Sequence, residues 1–582
     1  MNEPIIEFRN FTFQYRAQKK PTLIDINLRV AKGEKILIAG PSGSGKSTLG
    51  CCLNGLIPFN NPGTISGELL IGGKKPESVF ELSKMIGTVL QDTDGQFVGL
   101  SSGEDIAFLL ENLARPQAEM IERVKVAATL VGAESYLTHS PQRLSGGQKQ
   151  RVSMAGVLVD DAEILLFDEP LAALDPLTGK LATALIDDIA TRTGATIVII
   201  EHRLEDVLWK KIDRVILIAE GRIVADTTPD QICVSQQLTE VGIRRPLYIN
   251  ALAKAGVTKT MTDRPGQLAT LALTEADKEK VRVFAKVGVG GEEKTTVSAA
   301  SEQTAVTPLL EVKNLGFTYP ETNLRALEDV SFRLFPGEMT AIVGANGAGK
   351  STLAKLIVGF EETKTGAVIY RGEDMYDLTI PERAERIGYV MQNPNQMICK
   401  PMIYDEVALG LRMRGIAESE IEERIRSVLK VCGLNRFMKW PISALSYGQK
   451  KRVTIADALA LSPEILILDE PTAGQDYRHY TDIMEFLRIL NQEGVTVLLI
   501  THDMHLCLEY AKRALVFADG RLIADCPTYE VLSDPILAAR ASLKETSLYE
   551  LANICGISEA KDLVRAYLKP HSSDYDIEEC ND

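Results

Sequence analysis

The chain has 582 residues with a formal net charge of −15, 45% hydrophobic and 25% charged residues, and nine scattered cysteines. This length exceeds one hydrophobic core, the acidic charge opposes non-specific binding to nucleic acid, and cysteines without a Cys-x-x-Cys pair indicate neither a disulfide framework nor a zinc site. No apolar run approaches the ~18 residues of a membrane helix, and the start "MNEPIIEFRN" does not read as a secretory signal, so we expect a cytosolic chain that reaches a membrane only through a partner.

In the first half, short apolar runs that read as strands alternate with loops rich in glycine, glutamine or acidic residues. In chain order these are the run "EKILIAG" with the glycine loop "GPSGSGKST" (40–48), Gln91 after "GTVL", the nonapeptide "LSGGQKQRV" (144–152), "ILLFDEP" (164–170), and "ATIVIIEH", which ends at His202. A helix-forming run follows the glycine loop. The alternation of apolar runs with loops and a helix predicts an α/β domain.

The same elements return about three hundred residues later, in the same order. They are "GANGAGKST" (344–352), Gln392 after "GYVM", "LSYGQKKRV" (445–453), "ILILDEP" (465–471) and "VTVLLITH", which ends at His502. The sequence therefore predicts two whole domains of one fold, residues 3–235 and 308–540. Residues 236–307 are predicted as an inter-domain segment that ends in a flexible linker, and 541–582 as a small helical appendage with an acidic disordered tail.

Each glycine loop lies between an apolar run and a helix-forming run, the context in which Gly-x-x-x-x-Gly-Lys-Ser indicates phosphate binding. Glycines let backbone N–H groups approach phosphate oxygens, the lysine adds a positive charge, and the serine offers a hydroxyl to Mg²⁺. The candidate ATP-binding residues are Gly40, Pro41, Ser42, Gly43, Ser44, Gly45, Lys46, Ser47 and Thr48, and in the second half Gly344, Ala345, Asn346, Gly347, Ala348, Gly349, Lys350, Ser351 and Thr352.

Acidic, histidine and glutamine side chains follow the other apolar runs, where the carboxyl ends of parallel strands meet at one sheet edge. The aspartates would hold Mg²⁺ and the glutamates would polarise an attacking water; a simple helix-cap role is the alternative, which fits one acidic pair better than two. The histidines would hydrogen-bond the terminal phosphate, and a structural role is their alternative. The candidate metal residues are Ser47, Gln91, Asp168, Ser351, Gln392 and Asp469. The candidate catalytic residues are Glu169, Glu470, His202, His502, Gln91 and Gln392.

This set of motifs, in this order in both halves, resembles the ATP-binding-cassette (ABC) family. The resemblance implies two tandem P-loop NTPase domains, each with a RecA-like mixed sheet, an antiparallel β subdomain and a helical subdomain. It implies hydrolysis of ATP to ADP and phosphate with ATP and Mg²⁺ as cofactors. Tyr15 and Tyr319 match the position where the family stacks the adenine, and a plain core role for each tyrosine remains the alternative.

The resemblance also implies that the two halves of the chain face each other head to tail, with ATP between the glycine loop of one half and the nonapeptide of the other. The nonapeptides supply the signature residues Ser145, Gly146, Gly147, Gln148, Ser446, Tyr447, Gly448 and Gln449. The site of Lys46 would then receive Ser446, Gly448 and Gln449, and the site of Lys350 would receive Ser145, Gly147 and Gln148.

Within the family, the segments "CLNGLIP", "EDIAFLLENL", "DEVALGL", "QNPNQ" and "TAGQD" resemble the energy-coupling-factor (ECF) importers of micronutrients. This implies a transmembrane coupling subunit and a substrate-binding membrane subunit as partners, a peripheral place on the cytoplasmic face of the cell membrane, and no nucleic acid. The first half departs from the pattern with "QDTDGQ" and "EHR". We therefore expect two sites that both hydrolyse ATP, with unequal activity.

Four other kinds of ABC ATPase are alternatives to the importer. A soluble ABC-F-type ribosomal factor has a long, strongly basic linker, whereas residues 240–307 hold ten Lys or Arg and eight Asp or Glu. ATPases of DNA repair and ribosome recycling need zinc insertions or iron–sulfur cysteines, which the sequence lacks. An exporter ATPase would carry the same cassette motifs, and only the importer-like segments favour import.

Overall fold

The computed structural model describes residues 3–16, 18–90, 94–160, 162–172, 174–289, 307–320, 323–472 and 477–569. These residues fall into two compact units, Met1–Asp277 with Asp476–Arg478, and Lys278–Gln475 with His479–Asp582. Among them, no helix combines the length and the apolar composition that a membrane crossing requires.

The first unit contains two sheets. Its strands are β1 (Pro4–Tyr15), β2 (Leu23–Ala31), β3 (Lys35–Ala39), β4 (Gly63–Ile71), β5 (Ile86–Val89), β6 (Ile164–Asp168), β7 (Thr196–Ile200), β8 (Arg214–Ala219) and β9 (Arg222–Thr227). One sheet is antiparallel with the order β2-β1-β4, and the other has the order β5-β6-β7-β3-β8-β9. The second sheet is parallel except for the antiparallel pair β8 and β9.

Helices flank the sheets of the first unit and continue beyond its last strand. They are α1 (Lys46–Leu53), α2 (Leu56–Phe59), α3 (Val79–Ser83), α4 (Ser102–Asn112), α5 (Gln117–Val131), α6 (Gly146–Leu158), α7 (Pro176–Thr193), α8 (Leu204–Leu208), α9 (Pro229–Val234), α10 (Gln237–Glu240) and α11 (Leu247–Lys254), followed by α12 (Glu275–Val289), which runs across the boundary between the units. Helices α4, α5 and α6 pack on one another as a helical subdomain.

The second unit repeats this topology. Its strands are β10 (Leu310–Tyr319), β11 (Leu324–Leu334), β12 (Met339–Gly344), β13 (Thr365–Tyr370), β14 (Glu373–Asp374), β15 (Ile387–Val390), β16 (Ile465–Asp469), β17 (Thr496–Ile500), β18 (Arg513–Ala518) and β19 (Arg521–Pro527). The sheets have the orders β11-β10-β13-β14 and β15-β16-β17-β12-β18-β19. Both units therefore confirm the predicted mixed sheet with an antiparallel subdomain.

The helices of the second unit follow the same order and end in two further helices. They are α13 (Lys350–Val358), α14 (Ile380–Ala384), α15 (Ile403–Met413), α16 (Glu418–Val431), α17 (Tyr447–Ala460), α18 (Tyr477–Gln492), α19 (Met504–Tyr510), α20 (Thr528–Val531), α21 (Pro535–Arg540), α22 (Ser547–Ile554) and α23 (Ala560–Leu568). Helices α15, α16 and α17 pack together in the same way as α4 to α6.

The central strands are continuous apolar runs because helices or sheets cover both of their faces. All five residues of β7 and of β17 are buried, and so are those of β16, whose last residue is Asp469. Parallel pairing aligns the ends of β16 and β17. The polar residue that follows each apolar run is therefore held at the carboxyl edge of the sheet, which positions the site.

The segment between the cassettes is folded up to residue 289. The buried Tyr248 hydroxyl donates to the carbonyl of Pro265 at 2.6 Å. Farther along, Nε of Arg282 on α12 donates to the carbonyl of Cys555 at 2.7 Å, and Nζ of Lys569 donates to the carbonyl of Val287 at 2.6 Å. These bonds attach α12 to the terminal helices of the second unit. Residues 290–306 and 570–582, where the flexible linker and the tail are predicted, lie outside the described residues.

Candidate functional site

The glycine loops form a tight cradle at the N-terminus of α1 and of α13. Gly45 and Gly349 cap these helices with φ of 106° and 95°, a left-handed conformation that a side chain would strain. A Cβ on Gly40 would lie 2.2 Å from the carbonyl oxygen of Ile218, and one on Gly344 would lie 2.2 Å from that of Phe517. The backbone N–H groups of each loop are therefore held in a bend that only glycine allows, as a phosphate cradle requires.

The loop lysines fold back over their own loops. Nζ of Lys46 donates to the carbonyls of Gly40 at 2.9 Å and Pro41 at 2.8 Å. Nζ of Lys350 donates to Gly344 and Ala345, both at 2.8 Å. Both lysines are buried, so each positive charge is fixed inside the loop, where a phosphate would be bound.

The aspartates at the ends of β6 and β16 lie beside the loop serines. Burial, reinforced by the neighbouring charge of Glu169, raises the pKa of Asp168 to about 6, opposed by Lys46 and by the Ser47 hydroxyl. Burial likewise raises the pKa of Asp469, opposed chiefly by the Ser351 hydroxyl.

The two aspartates differ in their hydrogen bonds. The carboxylate of Asp469 also accepts from the Tyr389 hydroxyl at 3.3 Å, whereas Oδ1 of Asp168 is buried without a hydrogen-bond partner among the described residues. A buried carboxylate oxygen beside a serine hydroxyl and a phosphate cradle fits Mg²⁺, which prefers oxygen ligands and phosphates. The residues present therefore fit the predicted ion.

The two glutamates predicted to be catalytic occupy a strained backbone conformation. Glu169 and Glu470 have φ of 47° and 46°, in the left-handed region. The backbone N–H of Glu169 donates to the carbonyl of Ile200 at 2.9 Å, and that of Glu470 donates to Ile500 at 2.8 Å. These bonds to the neighbouring strand hold the turn at each glutamate. Strain of this kind persists where the surrounding structure enforces it, commonly at active sites.

The two histidines contact different carboxylates. Nδ1 of His502 is 2.7 Å from Oε1 of Glu470. Nδ1 of His202 is 3.9 Å from Oε1 of Glu169 and 3.1 Å from Oε1 of Glu201, the residue before it. Burial raises the pKa of Glu169; the His202 charge opposes this shift and Glu201 adds to it. The first unit thus places one imidazole between two carboxylates, and the second pairs it with one.

The signature residues begin α6 and α17 with a reciprocal capping box. In the first unit Ser145 Oγ accepts from the N–H of Gln148 at 3.4 Å, and the Gln148 side chain accepts from the Ser145 N–H at 2.9 Å. In the second unit Ser446 and Gln449 make the same pair at 3.3 and 3.0 Å. The motif therefore fixes two helix N-termini, a geometry suited to an anion.

Tyr447, the departure in the second signature, is anchored inside its own unit. Its hydroxyl donates to the carbonyl of Gln392 at 3.2 Å. Lys451, one helical turn later and only 1% exposed, donates to Met391 at 2.7 Å and to the same Gln392 carbonyl at 2.8 Å. Burial lowers the pKa of Lys451 to about 8, opposed by Asp469 and Glu470. Two side chains of α17 therefore hold the glutamine loop in the second unit.

The tyrosines predicted to stack adenine lie next to the glycine loops. The Tyr15 hydroxyl is 3.3 Å from Oγ1 of Thr48, and the Tyr319 hydroxyl is 3.1 Å from Oγ1 of Thr352. Each ring also packs edge-on against a phenylalanine of the same strand, with centroids 4.7 Å apart for Tyr15 and 4.9 Å apart for Tyr319. This placement is compatible with both alternatives left open by the sequence, because the rings are half-buried.

Each unit brings its loop lysine, loop serine, Asp-Glu pair and histidine to one sheet edge. Gln392 is exposed, and Gln91 lies outside the described residues. Sequence reasoning missed three residues of this edge: Glu201, Tyr389 and Lys451. The signal for each was a mismatch between the halves, since Glu201 aligns with Thr501, Tyr389 with Thr88 and Lys451 with Gln150.

Comparison with known proteins places the cassettes in a family. A model described as "ABC transporter" matches residues 23–172 and 327–473, and one described as "ATP-binding cassette cobalt transporter" matches residues 235–317. A putative ABC transporter ATP-binding protein of Vibrio parahaemolyticus is 53% identical over 97% of this chain and 96% of its own. One from Clostridium perfringens is 52% identical over 97% of this chain and 98% of its own.

Among solved structures, the chain is similar to cbiO1 from Clostridium perfringens, whose description calls it part of the ABC transporter complex cbiONQ. That structure is 32% identical, covers 42% of this chain and 99% of its own, and has a TM-score of 0.38. The matches to the ABC transporter model cover both glycine loops and both Asp-Glu strands, and the full-length relatives share the duplicated arrangement over nearly the whole chain. This chain therefore belongs to the ABC transporter ATP-binding family and is an ATPase with two cassettes in one polypeptide.

Proposed function

We propose that this chain is the energy-coupling subunit of an ECF-type importer that drives uptake of a micronutrient, either a vitamin, a vitamin precursor or a metal ion. The observation that carries the proposal is the match of residues 235–317, the segment between the cassettes, to a model described as an ATP-binding cassette cobalt transporter. The importer-like segments of both halves support it. The membrane partners would be a transmembrane coupling subunit and a substrate-binding subunit, with this chain on the cytoplasmic face.

An exposed apolar stretch in the first unit supports docking of such a partner. Leu90, Val98 and Leu100, between β5 and α4, and Phe108 on α4 are all exposed, and Leu100 is 86% exposed. The Val98 and Gly99 N–H groups donate to Asp105 at 2.8 and 3.0 Å, which fixes the connection against α4. Ordered, exposed apolar side chains of this kind suit an apolar segment of a membrane subunit.

The chemistry proposed for each site is in-line attack of water on the terminal phosphate of ATP. Bound Mg²⁺ would supply charge neutralisation at the phosphate oxygens. Lys46 and Lys350 would hold the terminal phosphates, and Ser47, Asp168, Ser351 and Asp469 would hold the ion. Glu169 and Glu470 accept the proton of the water, and His202 and His502 fix the position of the glutamate or of the phosphate. Positioning and charge stabilisation carry such a reaction without a covalent intermediate.

We further propose that each site is completed by the signature of the other cassette. Ser446→Ala should then impair the Lys46 site by about five- to tenfold, through loss of the helix cap, while the Lys350 site changes less. Ser145→Ala is the matched control, with the opposite pattern. Nucleotide trapping followed by site-specific photolabelling reads the sites separately. Equal losses at both sites, or the reverse pattern, would contradict the crossed pairing.

The transport proposal is tested by reconstitution. The tagged chain is purified from detergent-solubilised membranes of its source, and the co-purified membrane proteins are incorporated with it into liposomes. ATP-dependent uptake of a metal ion or vitamin is expected, and it should vanish with the Glu169→Gln/Glu470→Gln chain. A chain that retains no membrane protein and instead sediments with ribosomes would favour the ABC-F-type alternative and overturn the importer.

A further inference from the structure

The two cassettes carry different residues directly before each histidine. Glu201 follows β7 directly and is 0% exposed, and Thr501 follows β17 in the same way. The two residues are in the same register, since the N–H of Glu201 donates to Ile38 and that of Thr501 to Ile342, both at 3.1 Å. At this position the halves therefore differ in the side chain that the same backbone position carries.

Glu201 turns one carboxylate oxygen onto the histidine turn. Its Oε1 accepts from the N–H groups of His202 at 2.9 Å and Arg203 at 3.1 Å, and lies 3.1 Å from Nδ1 of His202. Its other oxygen, Oε2, is buried without a hydrogen-bond partner among the described residues. A buried, half-satisfied carboxylate is costly to keep, which points to a role other than stability.

Thr501 has the opposite effect on the catalytic glutamate of its own unit. Its hydroxyl accepts from the N–H of Asp503 at 3.0 Å, as Glu201 does from Arg203, but it donates to Oε2 of Glu470 at 3.4 Å. Together with Nδ1 of His502 at 2.7 Å from Oε1, it holds both oxygens of that carboxylate. In the first unit this donor is replaced by a second acceptor, which competes for the imidazole.

We propose that Glu201 is a positioning residue of the first ATP site: its carboxylate contacts the His202 imidazole at 3.1 Å, draws it away from Glu169, and makes this site turn over more slowly than the second. The proposal rests on the roles proposed for Glu169 and His202. A general base must be held within hydrogen-bond reach of its proton, and a misplacement of about 1 Å costs up to roughly 100-fold in rate. His202 Nδ1 lies 3.9 Å from Glu169, against 2.7 Å between His502 and Glu470.

The test exchanges the two residues in the full-length chain. Glu201→Thr in a Glu470→Gln background reads the first site, and Thr501→Glu in a Glu169→Gln background reads the second. Glu201→Thr is expected to raise kcat about threefold to tenfold with KM for ATP within about twofold, and Thr501→Glu to lower kcat by a similar factor. An unchanged or reduced kcat for Glu201→Thr, or a parallel change in kcat and KM, overturns the proposal.

Two further measurements keep the outcome decisive. If one Glu→Gln change silences both sites, single-turnover hydrolysis is followed with both glutamates intact; two phases are expected, and Glu201→Thr should accelerate the slow one. A slow phase that does not respond overturns the proposal. Glu201→Gln keeps an acceptor facing His202 and is expected to accelerate turnover less than Glu201→Thr does. Acceleration equal to that of Glu201→Thr would assign the effect to charge and overturn the positioning role.

The same set of variants separates this inference from the proposed catalytic roles. The Glu169→Gln/Glu470→Gln chain must be inactive if the glutamates act as proposed, whatever Glu201 does. If that chain retains turnover, the roles of the glutamates fail. If it is inactive and the exchange of residues 201 and 501 has no effect on kcat, only the role of Glu201 fails.

Discussion

The two cassettes share a fold and differ in the side chains around the carboxylates proposed to be catalytic. In the second unit the carboxylate of Glu470 is hydrogen-bonded to His502 and Thr501, and that of Asp469 accepts a hydrogen bond from Tyr389. Nζ of Lys451 donates to the backbone carbonyl of Asp469. In the first unit Glu201, Thr88 and Gln150 occupy the positions of Thr501, Tyr389 and Lys451, and Oδ1 of Asp168 is left without a hydrogen bond among the described residues. Duplication has preserved the fold while the hydrogen-bond donors around the acids have diverged.

Two sites with the same sequence motifs can therefore differ in the side chains that surround their acidic residues. Both units carry the glycine loop, the Asp-Glu strand and the histidine, yet the neighbours of the acids differ: Thr501 and His502 contact both oxygens of Glu470, whereas His202 lies closer to Glu201 than to Glu169. A carboxylate held by donors keeps its charge and its direction, whereas one flanked by other carboxylates is more costly to ionise. The glutamate of the second site is therefore the more firmly held of the two.

The largest expected effect comes from removing the catalytic carboxylates. Glu169→Gln/Glu470→Gln should lower steady-state ATP hydrolysis by about 100-fold or more, because a neutral amide cannot accept the proton of the attacking water. Binding of a fluorescent ATP analogue should persist. Of the single variants, Glu470→Gln should cost more than Glu169→Gln, because Glu470 is the more firmly held. A double variant with full activity would remove the proposed role, and a larger loss for Glu169→Gln would invert the ranking.

The next effect concerns stability without nucleotide. Asp168 has a folded pKa of about 6 against an ordinary value near ~3.9. The folded state therefore binds the proton more tightly than the unfolded chain, and the wild type loses stability as pH rises from about 4 to about 6. Asp168→Asn should raise the free energy of unfolding by about 1–3 kcal/mol near pH 7.5 and by little near pH 4.

Urea unfolding at both pH values measures this difference. Asp469→Asn is the matched control and should gain less, because the Ser351 and Tyr389 hydroxyls and the Lys451 charge already stabilise the ionised Asp469. A destabilising Asp168→Asn change, or a gain that is the same near pH 4 and pH 7.5, would show that burial of the charge does not strain the first site.

Much of this arrangement could be predicted from the sequence. The side-chain contacts that could not be predicted share a physical reason. The repeat, the mixed sheet and the gathering of Lys46, Asp168, Glu169 and His202 at one edge follow from apolar runs and from the alignment of parallel strand ends. The contact between Tyr447 and Gln392 joins residues 55 positions apart, and the choice of His202 between two carboxylates depends on side-chain direction. Neither has a periodic signal, so only the packed structure reveals them.

A smaller effect is expected at the aspartate of the second site. Tyr389→Phe removes the hydroxyl that donates to Asp469 at 3.3 Å. Groups that orient a metal ligand commonly contribute about tenfold or more to metal affinity, and this long bond should lie at or below that lower bound. Titrating Mg²⁺ against ATPase activity in a Glu169→Gln background should show a severalfold weaker apparent affinity. An unchanged Mg²⁺ dependence would mean that Tyr389 does not orient Asp469.

The smallest effect is expected at Tyr447. Tyr447→Phe removes only its hydrogen bond to the Gln392 carbonyl, and Nζ of Lys451 still donates to that oxygen at 2.8 Å. Because no buried acceptor is left unsatisfied, the free energy of unfolding should fall by about 0.5 kcal/mol or less and ATP turnover should change by less than about twofold.

Lys451→Met is the contrasting variant. It leaves the Met391 carbonyl without its lysine donor and should lower the free energy of unfolding by about 1–3 kcal/mol. Urea unfolding and steady-state hydrolysis measure both. A tenfold loss of turnover in Tyr447→Phe would mean that the hydroxyl acts at the signature and that the second signature, not the histidine turn, sets the two cassettes apart.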